Sequence, residues 1–248
     1  MKYNILKYIF WGKIIALFSC QVSGMKDSVY VYNIPERNKP VQVDANWDKP
    51  QWKNVKAVKI DNFMGNTPPF KPVVEAKMIY DKNNLYVIFR VQDRFVKCTH
   101  TKINDPVYND ACVEFFFSPD TTLPERYFNL EINCGGTPLM RYNIIPRKDF
   151  NTCDPEDMKQ IEISHSLPTE IKNEITSTIT WTVEYRLPLS ILRKYSKITE
   201  PAKGVKWRAN FYKTAEETSN PHYMTWSIIK NSVPDFHLPS YFGELIFK

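Results

Sequence analysis

From about residue 28 onward, apolar and polar side chains trade places residue by residue in short runs. Each run is bounded by Asp, Asn, Pro or Gly. A period of two lays successive side chains on opposite faces of a strand. The runs Val73–Tyr80, Leu85–Gln92, Ala111–Phe117, Tyr127–Asn133, Leu139–Ile144, Ser177–Leu187, Val205–Thr214 and Tyr241–Phe247 are rich in Val, Ile, Phe, Tyr and Thr, so each reads as a strand. Asp81-Lys82-Asn83-Asn84 and Gly135-Gly136 read as hairpin turns. One short helix is expected, Leu189–Tyr195 after Pro188. Longer loops are expected at Asp61–Pro72, Lys97–Asp110, Pro146–Asp157 and Thr214–Pro221. Many strands without helices to cover them must stack sheets to bury their apolar faces. The expected fold is therefore all-β, a two-sheet antiparallel β-sandwich over residues 25–248. With 43% hydrophobic residues the chain can fill such a core, which argues against disorder.

The first 20 residues read as an export signal rather than as part of that fold. Residues 1–19 hold Lys2, Lys7 and Lys13 and no acid, then the short apolar run Ile14-Ile15-Ala16-Leu17-Phe18. The run is too short for a membrane-spanning helix. Leu17-Phe18-Ser19-Cys20 resembles a lipobox, with Cys20 as the lipidated residue; cleavage after Val22-Ser23-Gly24 is the alternative. The expected location is the periplasm or cell envelope, with membrane contact only through a lipid anchor. Loss of the three leader lysines lowers the formal charge from +6 to +3, because 30 basic residues then face 27 acidic ones. Lys and Arg are spread rather than clustered, so no nucleic-acid partner is expected. Cys98, Cys112, Cys134 and Cys153 remain, as free thiols or as disulfides. No Cys-x-x-Cys or His-Glu-x-x-His spacing is present, so no catalytic or structural zinc is expected.

Alternation also sorts the faces. Val113, Phe115 and Phe117 oppose Cys112, Glu114 and Phe116; Phe128, Leu130 and Ile132 oppose Tyr127, Asn129, Glu131 and Asn133. Arg141 and Asn143 oppose Met140 and Tyr142; Asn210 and Tyr212 oppose Ala209 and Phe211. One sheet face thus gathers Glu114, Asn129, Glu131, Arg141, Asn143, Asn210 and Tyr212. A wetted antiparallel face would carry Lys, Thr and Ser instead. Carboxylate, amide and guanidinium groups each offer two hydrogen-bonding atoms in a plane, which suits neighbouring sugar hydroxyls. Aromatic rings can stack on the apolar face of a pyranose. Tyr108 and Trp226 stand at strand entrances beside this face.

Several segments carry a family resemblance. They are Asp44-Ala45-Asn46-Trp47 with Trp52, Tyr80-Asp81-Lys82-Asn83-Asn84-Leu85-Tyr86-Val87, Val91-Gln92-Asp93, and Tyr108-Asn109-Asp110-Ala111-Cys112-Val113-Glu114-Phe115-Phe116. Tyr127-Phe128-Asn129-Leu130-Glu131-Ile132-Asn133, Trp207-Arg208-Ala209-Asn210-Phe211-Tyr212-Lys213 and Pro234-Asp235-Phe236-His237 with Phe242-Gly243 follow in order. Together they resemble the family 9 carbohydrate-binding modules, in the longer form of secreted bacterial proteins. The resemblance implies an immunoglobulin-like or DOMON-like sandwich that holds a terminal sugar between two aromatic rings, with structural calcium in some members. Tyr108 stands where the family usually has Trp, and Trp226 matches the second ring. Arg126 or Arg141 would supply the guanidinium, and His237 would be a structural residue of the C-terminal loop.

The expected site is Tyr108, Glu114, Asn129, Arg141, Asn210 and Trp226. The expected function is non-catalytic carbohydrate binding by a monomer, on oligosaccharide or polysaccharide chain ends, in support of glycan breakdown. A glycoside hydrolase is the alternative and needs two carboxylates flanking the scissile bond. Asp110 and Glu114 lie four residues apart on one strand, roughly 13 Å, which is too far. Glu114 with Glu131 stays open. A haem- or cofactor-binding module is the other alternative; Met78, Met140, His100 and His165 are the axial-ligand types present.

Overall fold

The computed structural model describes residues 30–39 and 41–248. The expected export signal and Cys20 lie outside the described residues. The strands in chain order are β1 (Val31–Ile34), β2 (Val58–Lys59), β3 (Asn62–Met64), β4 (Val73–Tyr80), β5 (Asn84–Asp93), β6 (Val96–Cys98), β7 (Cys112–Ser118) and β8 (Tyr127–Asn133). They continue as β9 (Pro138–Ile145), β10 (Asp149–Thr152), β11 (Glu162–His165), β12 (Ile171–Ile175), β13 (Ile179–Pro188), β14 (Lys206–Thr214), β15 (Tyr223–Thr225) and β16 (Gly243–Phe247). The first sheet runs β1-β16-β14-β7-β8-β9-β10, with β15 on β14 and β3 on β15. The second runs β11-β13-β5-β4-β2, and β12 and β6 form a small third sheet. β1 pairs with β16 in parallel, an exception in the otherwise antiparallel pairing of the described strands.

The long strands and the helix α3 (Leu189–Tyr195) fall within two residues of their expected bounds. Short elements were not foreseen. β3 lies inside the expected Asp61–Pro72 loop and β10 inside Pro146–Asp157, while α1 (Pro50–Lys53) and α2 (Pro155–Met158) are single turns. Three or four residues carry no readable period. β3 and β10 exist because β15 and β9 offer them an edge.

The two main sheets pack face to face through the side chains that alternation points inward. Phe115 stacks on Phe117 at 4.5 Å and on Phe211 at 4.8 Å, and Phe117 on Phe128 at 5.5 Å. Val87, Phe89, Trp181, Val183 and Tyr185 meet them from the second sheet, all fully buried or nearly so. Each such side chain contributes about 1.5–3 kcal/mol through burial. One buried ion pair joins the sheets: Lys213 Nζ lies 3.1 Å from Asp93 Oδ2. The same ammonium donates to the Thr214 carbonyl at 2.9 Å and contacts Nε2 of His222 at 2.9 Å. Burial and the Lys213 charge push His222 down to about 3, so its ring is neutral and accepts from the lysine. Cys98, Cys112, Cys134 and Cys153 are buried free thiols.

The outer face of the second sheet is also covered. Glu184, on the outward side of β13, is fully buried. Its Oε2 accepts from the backbone N–H groups of Asp44 (3.0 Å) and Ala45 (2.8 Å) and from Lys49 Nζ (2.8 Å); its Oε1 accepts from Trp52 Nε1 (2.9 Å). A left-handed turn at Ala45 (φ 59°) helps aim successive amides at this one acceptor. Trp47 lies under Lys77 Nζ at 4.2 Å and Arg90 Cζ at 4.6 Å. The segment from Asp44 to Trp52 is therefore a clasp over the second sheet, remote from the polar face of the first.

Every neighbour of the Glu184 carboxylate is a donor, so Glu184→Gln places an N–H₂ group against other donors and leaves Lys49 with Asp44 alone as counter-charge, 2.9 Å away. The expected loss is about 3 kcal/mol, or roughly 6–12 °C in a chain of this size. Thermal melting followed by circular dichroism measures it, and a loss under about 2 °C would show that the clasp holds little of the stability.

Candidate functional site

The outward face of the first sheet is partly roofed by the chain after β14. Phe236 stacks flat on Tyr212 at 4.2 Å, and the Tyr212 hydroxyl donates to the Phe236 carbonyl at 3.2 Å. Phe116, Tyr127 and Phe242 complete that apolar lid. Beside it the roof stops and leaves a cleft of about 350 Å³. Ligand pockets commonly span roughly 300–1,000 Å³, so this one suits a single small ring or two. It is lined by Tyr108, Glu114, Glu131, Arg141, Arg147, Glu216, Tyr223, Asp235, Phe236 and His237, among others.

The floor is a carboxyl pair. Glu114 on β7 stands directly opposite Glu131 on β8. They are only 2% and 3% exposed. Asn129 Nδ2 donates to Glu131 Oε1 at 2.6 Å, while Asn143 Nδ2 donates to Asn129 Oδ1 at 2.6 Å, which fixes the amide. The other oxygen, Glu131 Oε2, is buried with no partner. Burial pushes both carboxyls up, Glu114 well above its ordinary range with Glu131 beside it, and Glu131 to about 7 with Arg141 holding it lower than it would otherwise be.

Cations and rings stand around that floor. Arg141 comes from β9, two residues before Asn143 on the same face. Arg147 sits in the β9–β10 turn with φ 59° and forks onto Asp235 Oδ1, from Nε at 3.0 Å and Nη2 at 2.6 Å. Asp235 also accepts from the backbone N–H of His237 at 2.9 Å. His237 Nδ1 contacts the Tyr127 hydroxyl at 2.7 Å, and burial with nearby Arg147 pushes its ring down to about 4. Tyr108 is held by a backbone bond from Glu216 N–H to its carbonyl at 3.3 Å. Asp110, two residues on, fastens the preceding loop: it accepts from Thr99 and His100 N–H groups and from Asn133 Nδ2, all at 2.9–3.0 Å.

Of the six expected site residues, Tyr108, Glu114 and Arg141 meet in the cleft. Of Arg126 and Arg141, Arg141 lines the cleft and Arg126 is exposed outside it. Asn129 lies behind the floor and orients Glu131. Asn210 is fully buried and clasps the chain after β15, donating to the Ser227 carbonyl at 3.0 Å and accepting from its N–H at 2.8 Å. Trp226 does not reach the cleft. It packs between the sheets against Phe211, Tyr30 and Tyr32. The reason is alternation along β15: Tyr223 and Thr225 share the outward face, so Met224 and Trp226 turn inward. The rings in the cleft beside Tyr108 are Tyr223 and Phe236. β15 is too short for its period to be read along the chain, and Arg147 and Glu216 arrive through loops with no period. His237, expected to be structural, both bonds Tyr127 and lines the cleft.

Calcium in sandwiches of this kind needs six to eight oxygen ligands, several of them carboxylates. Among the described residues no group of three His, Cys, Asp or Glu side chains is placed to hold a metal ion. A larger open groove of about 640 Å³ lies near Glu36, Arg37 and Asp81. Its groups are largely spent on one another: Asp81 accepts from Asn83, Asn84 and the Tyr86 hydroxyl, and Arg186 pairs with Glu162.

This chain is similar to a crystal structure from Bacteroides uniformis to which carbohydrate binding is ascribed. The identity is 25%, the coverage 89% of this chain and 100% of the other, and the TM-score 0.79. A family 9 carbohydrate-binding module from Caldicellulosiruptor kristjanssonii, in complex with cellotriose, is 17% identical over 88% of this chain and 94% of its own, with a TM-score of 0.60. That likeness shows the β-sandwich fold. A protein of Arthroderma benhamiae described as an extracellular protein is 24% identical over 198 residues, 77% of this chain and 85% of that one. The model of one family, carbohydrate-binding family 9, matches residues 44–247, and the chain belongs to that family.

Proposed function

We propose that the cleft binds the end of a saccharide chain and does not cut it. The observation that carries this reading is the floor: Glu114 and Glu131 are buried, side by side, and Glu131 Oε2 has no partner within the protein. A buried acceptor left open is costly unless a ligand donor meets it. Sugar hydroxyls are such donors, and Arg141 and Arg147 supply donors for the ring and hydroxyl oxygens. Tyr108, Tyr223 and Phe236 offer ring surface to the sugar C–H face. Hydrolysis needs carboxyls on either side of the glycosidic bond. The binding reading has both carboxyls, which rise from paired positions of one floor, on the same side of a bound ring. The Caldicellulosiruptor kristjanssonii modules hold cellotriose and glucose, which makes glucose-based sugars the first probes.

We also propose that the protein is exported and works at the cell envelope. The basic, acid-free start with its apolar run supports this, as does the relative described as extracellular. Mass spectrometry of the protein from its host should find a chain shortened near Cys20, with or without acyl mass. Intact Met1 protein in the cytosol would contradict export.

Calorimetry with mono- and oligosaccharides should find a binding partner, and Tyr108→Ala and Glu114→Ala should each weaken it by about 1–3 kcal/mol. Tyr108→Trp should hold or raise affinity because it enlarges the stacking ring. Trp226→Ala should instead destabilise the core by about 3–5 kcal/mol. Long incubation with the same sugars should release no new reducing ends; release that Glu114→Gln abolishes would replace binding with hydrolysis.

The carboxyl pair also fixes a pH dependence. The folded state raises both groups above the ordinary glutamate value of 4.5, Glu131 to about 7. The folded state therefore binds a proton that the unfolded chain has released. The stability linked to the pair is complete below about pH 4.5 and is lost as pH rises through about 7. Glu131→Gln removes that buried charge. Its melting temperature should gain on the natural protein between pH 5 and pH 8 while sugar affinity falls. Parallel melting curves across this range would mean that the pair does not titrate there.

A further inference from the structure

One ring stands beside the cleft without lining it. Phe150 is 41% exposed on β10, an edge strand whose four side chains all face solvent. A single exposed ring is ordinary, but the placement of this one is not. The pairing of β10 with β9 shifts register between Asp149 and Phe150, so Asp149 faces Ile145 and Phe150 faces Asn143. In unbroken register Phe150 would stand opposite Ile144, which packs toward the inter-sheet core. The irregularity turns Phe150 to the face of Asn143 and Arg141, which is the cleft face. Bulges are found beside binding sites for this reason: they re-aim one side chain.

Arg141 ties the ring to the site. Its guanidinium carbon lies 4.8 Å from the centre of the Phe150 ring. The same side chain lines the cleft, and its Nε is buried with no partner. A planar cation lying over a ring holds both groups in place and leaves the guanidinium edge free to donate. The exposed Ile145 follows Arg141 and Asn143 on that face and extends the apolar surface.

We propose that Phe150, held by Arg141, is a second subsite: a stacking platform for the sugar unit next to the one in the cleft. The inference rests on the saccharide reading of the cleft and adds that the chain is read over more than its terminal unit. A pyranose presents a flat C–H face bordered by hydroxyls. The ring takes the face, and the arginine donates to a hydroxyl oxygen beside the junction of the two units. Binding should therefore favour an oligosaccharide over its own monosaccharide.

The test is calorimetry with matched pairs, glucose with cellotriose, xylose with xylotriose and mannose with mannotriose. The proteins are the natural form, Phe150→Thr, which keeps a strand-forming residue at the edge, and Phe150→Trp. The natural protein should bind one trisaccharide more tightly than its monosaccharide. Phe150→Thr should weaken that trisaccharide by about tenfold, as expected for loss of one stacked ring face, and leave the monosaccharide within about twofold. Phe150→Trp should hold or tighten the trisaccharide. An unchanged ratio of trisaccharide to monosaccharide affinity in Phe150→Thr, an equal loss for both, or a natural protein with no preference for the trisaccharide would overturn the second subsite and leave the cleft reading standing. Failure of the natural protein to bind any sugar of the panel would overturn both.

Discussion

The stack of Phe115, Phe117, Phe211 and Phe128 between the two sheets sets the register on which the rest depends. A strand shifted by one residue exchanges its faces completely. Once these rings point inward from β7, β8 and β14, Glu114, Glu131 and Asn210 have no other direction than outward. The floor of the cleft is thus the reverse side of the core.

Buried carboxylates appear on both outer faces, and their hydrogen bonding differs. Glu184 has donors on both oxygens from Asp44, Ala45, Lys49 and Trp52, and no capacity is left for a ligand. Glu131 has one oxygen on Asn129 and one on nothing. The same side chain therefore closes a clasp in one sheet and keeps an unpartnered oxygen in the other. An open buried acceptor lowers the stability of the unliganded protein, a cost that binding sites commonly carry.

The roof works by the same division. Phe236 lies flat on Tyr212 and seals the apolar half of the face, while Asp235 and His237 on either side of it turn their polar groups to Arg147 and Tyr127. Lys213 and His222 hold the segment after β14 from beneath. The loops that complete the cleft are thereby fastened to the strands that form its floor.

Local sequence determined the strands that pack on both faces, because a period of two is written directly into eight runs and survives any tertiary arrangement. It placed Glu114, Asn129, Glu131 and Arg141 on one face, but not the inward turn of Trp226, which follows a three-residue strand whose faces are set by its pairing with β14. The tertiary structure alone decided which of those polar groups are open and which are spent. Asn210 and Asn129 look alike along the chain, yet one clasps Ser227 and the other orients Glu131. Arg147, Glu216 and the re-aimed Phe150 depend on a turn, a loop and a register shift. Those features follow from how distant strands meet, and no local period encodes that meeting.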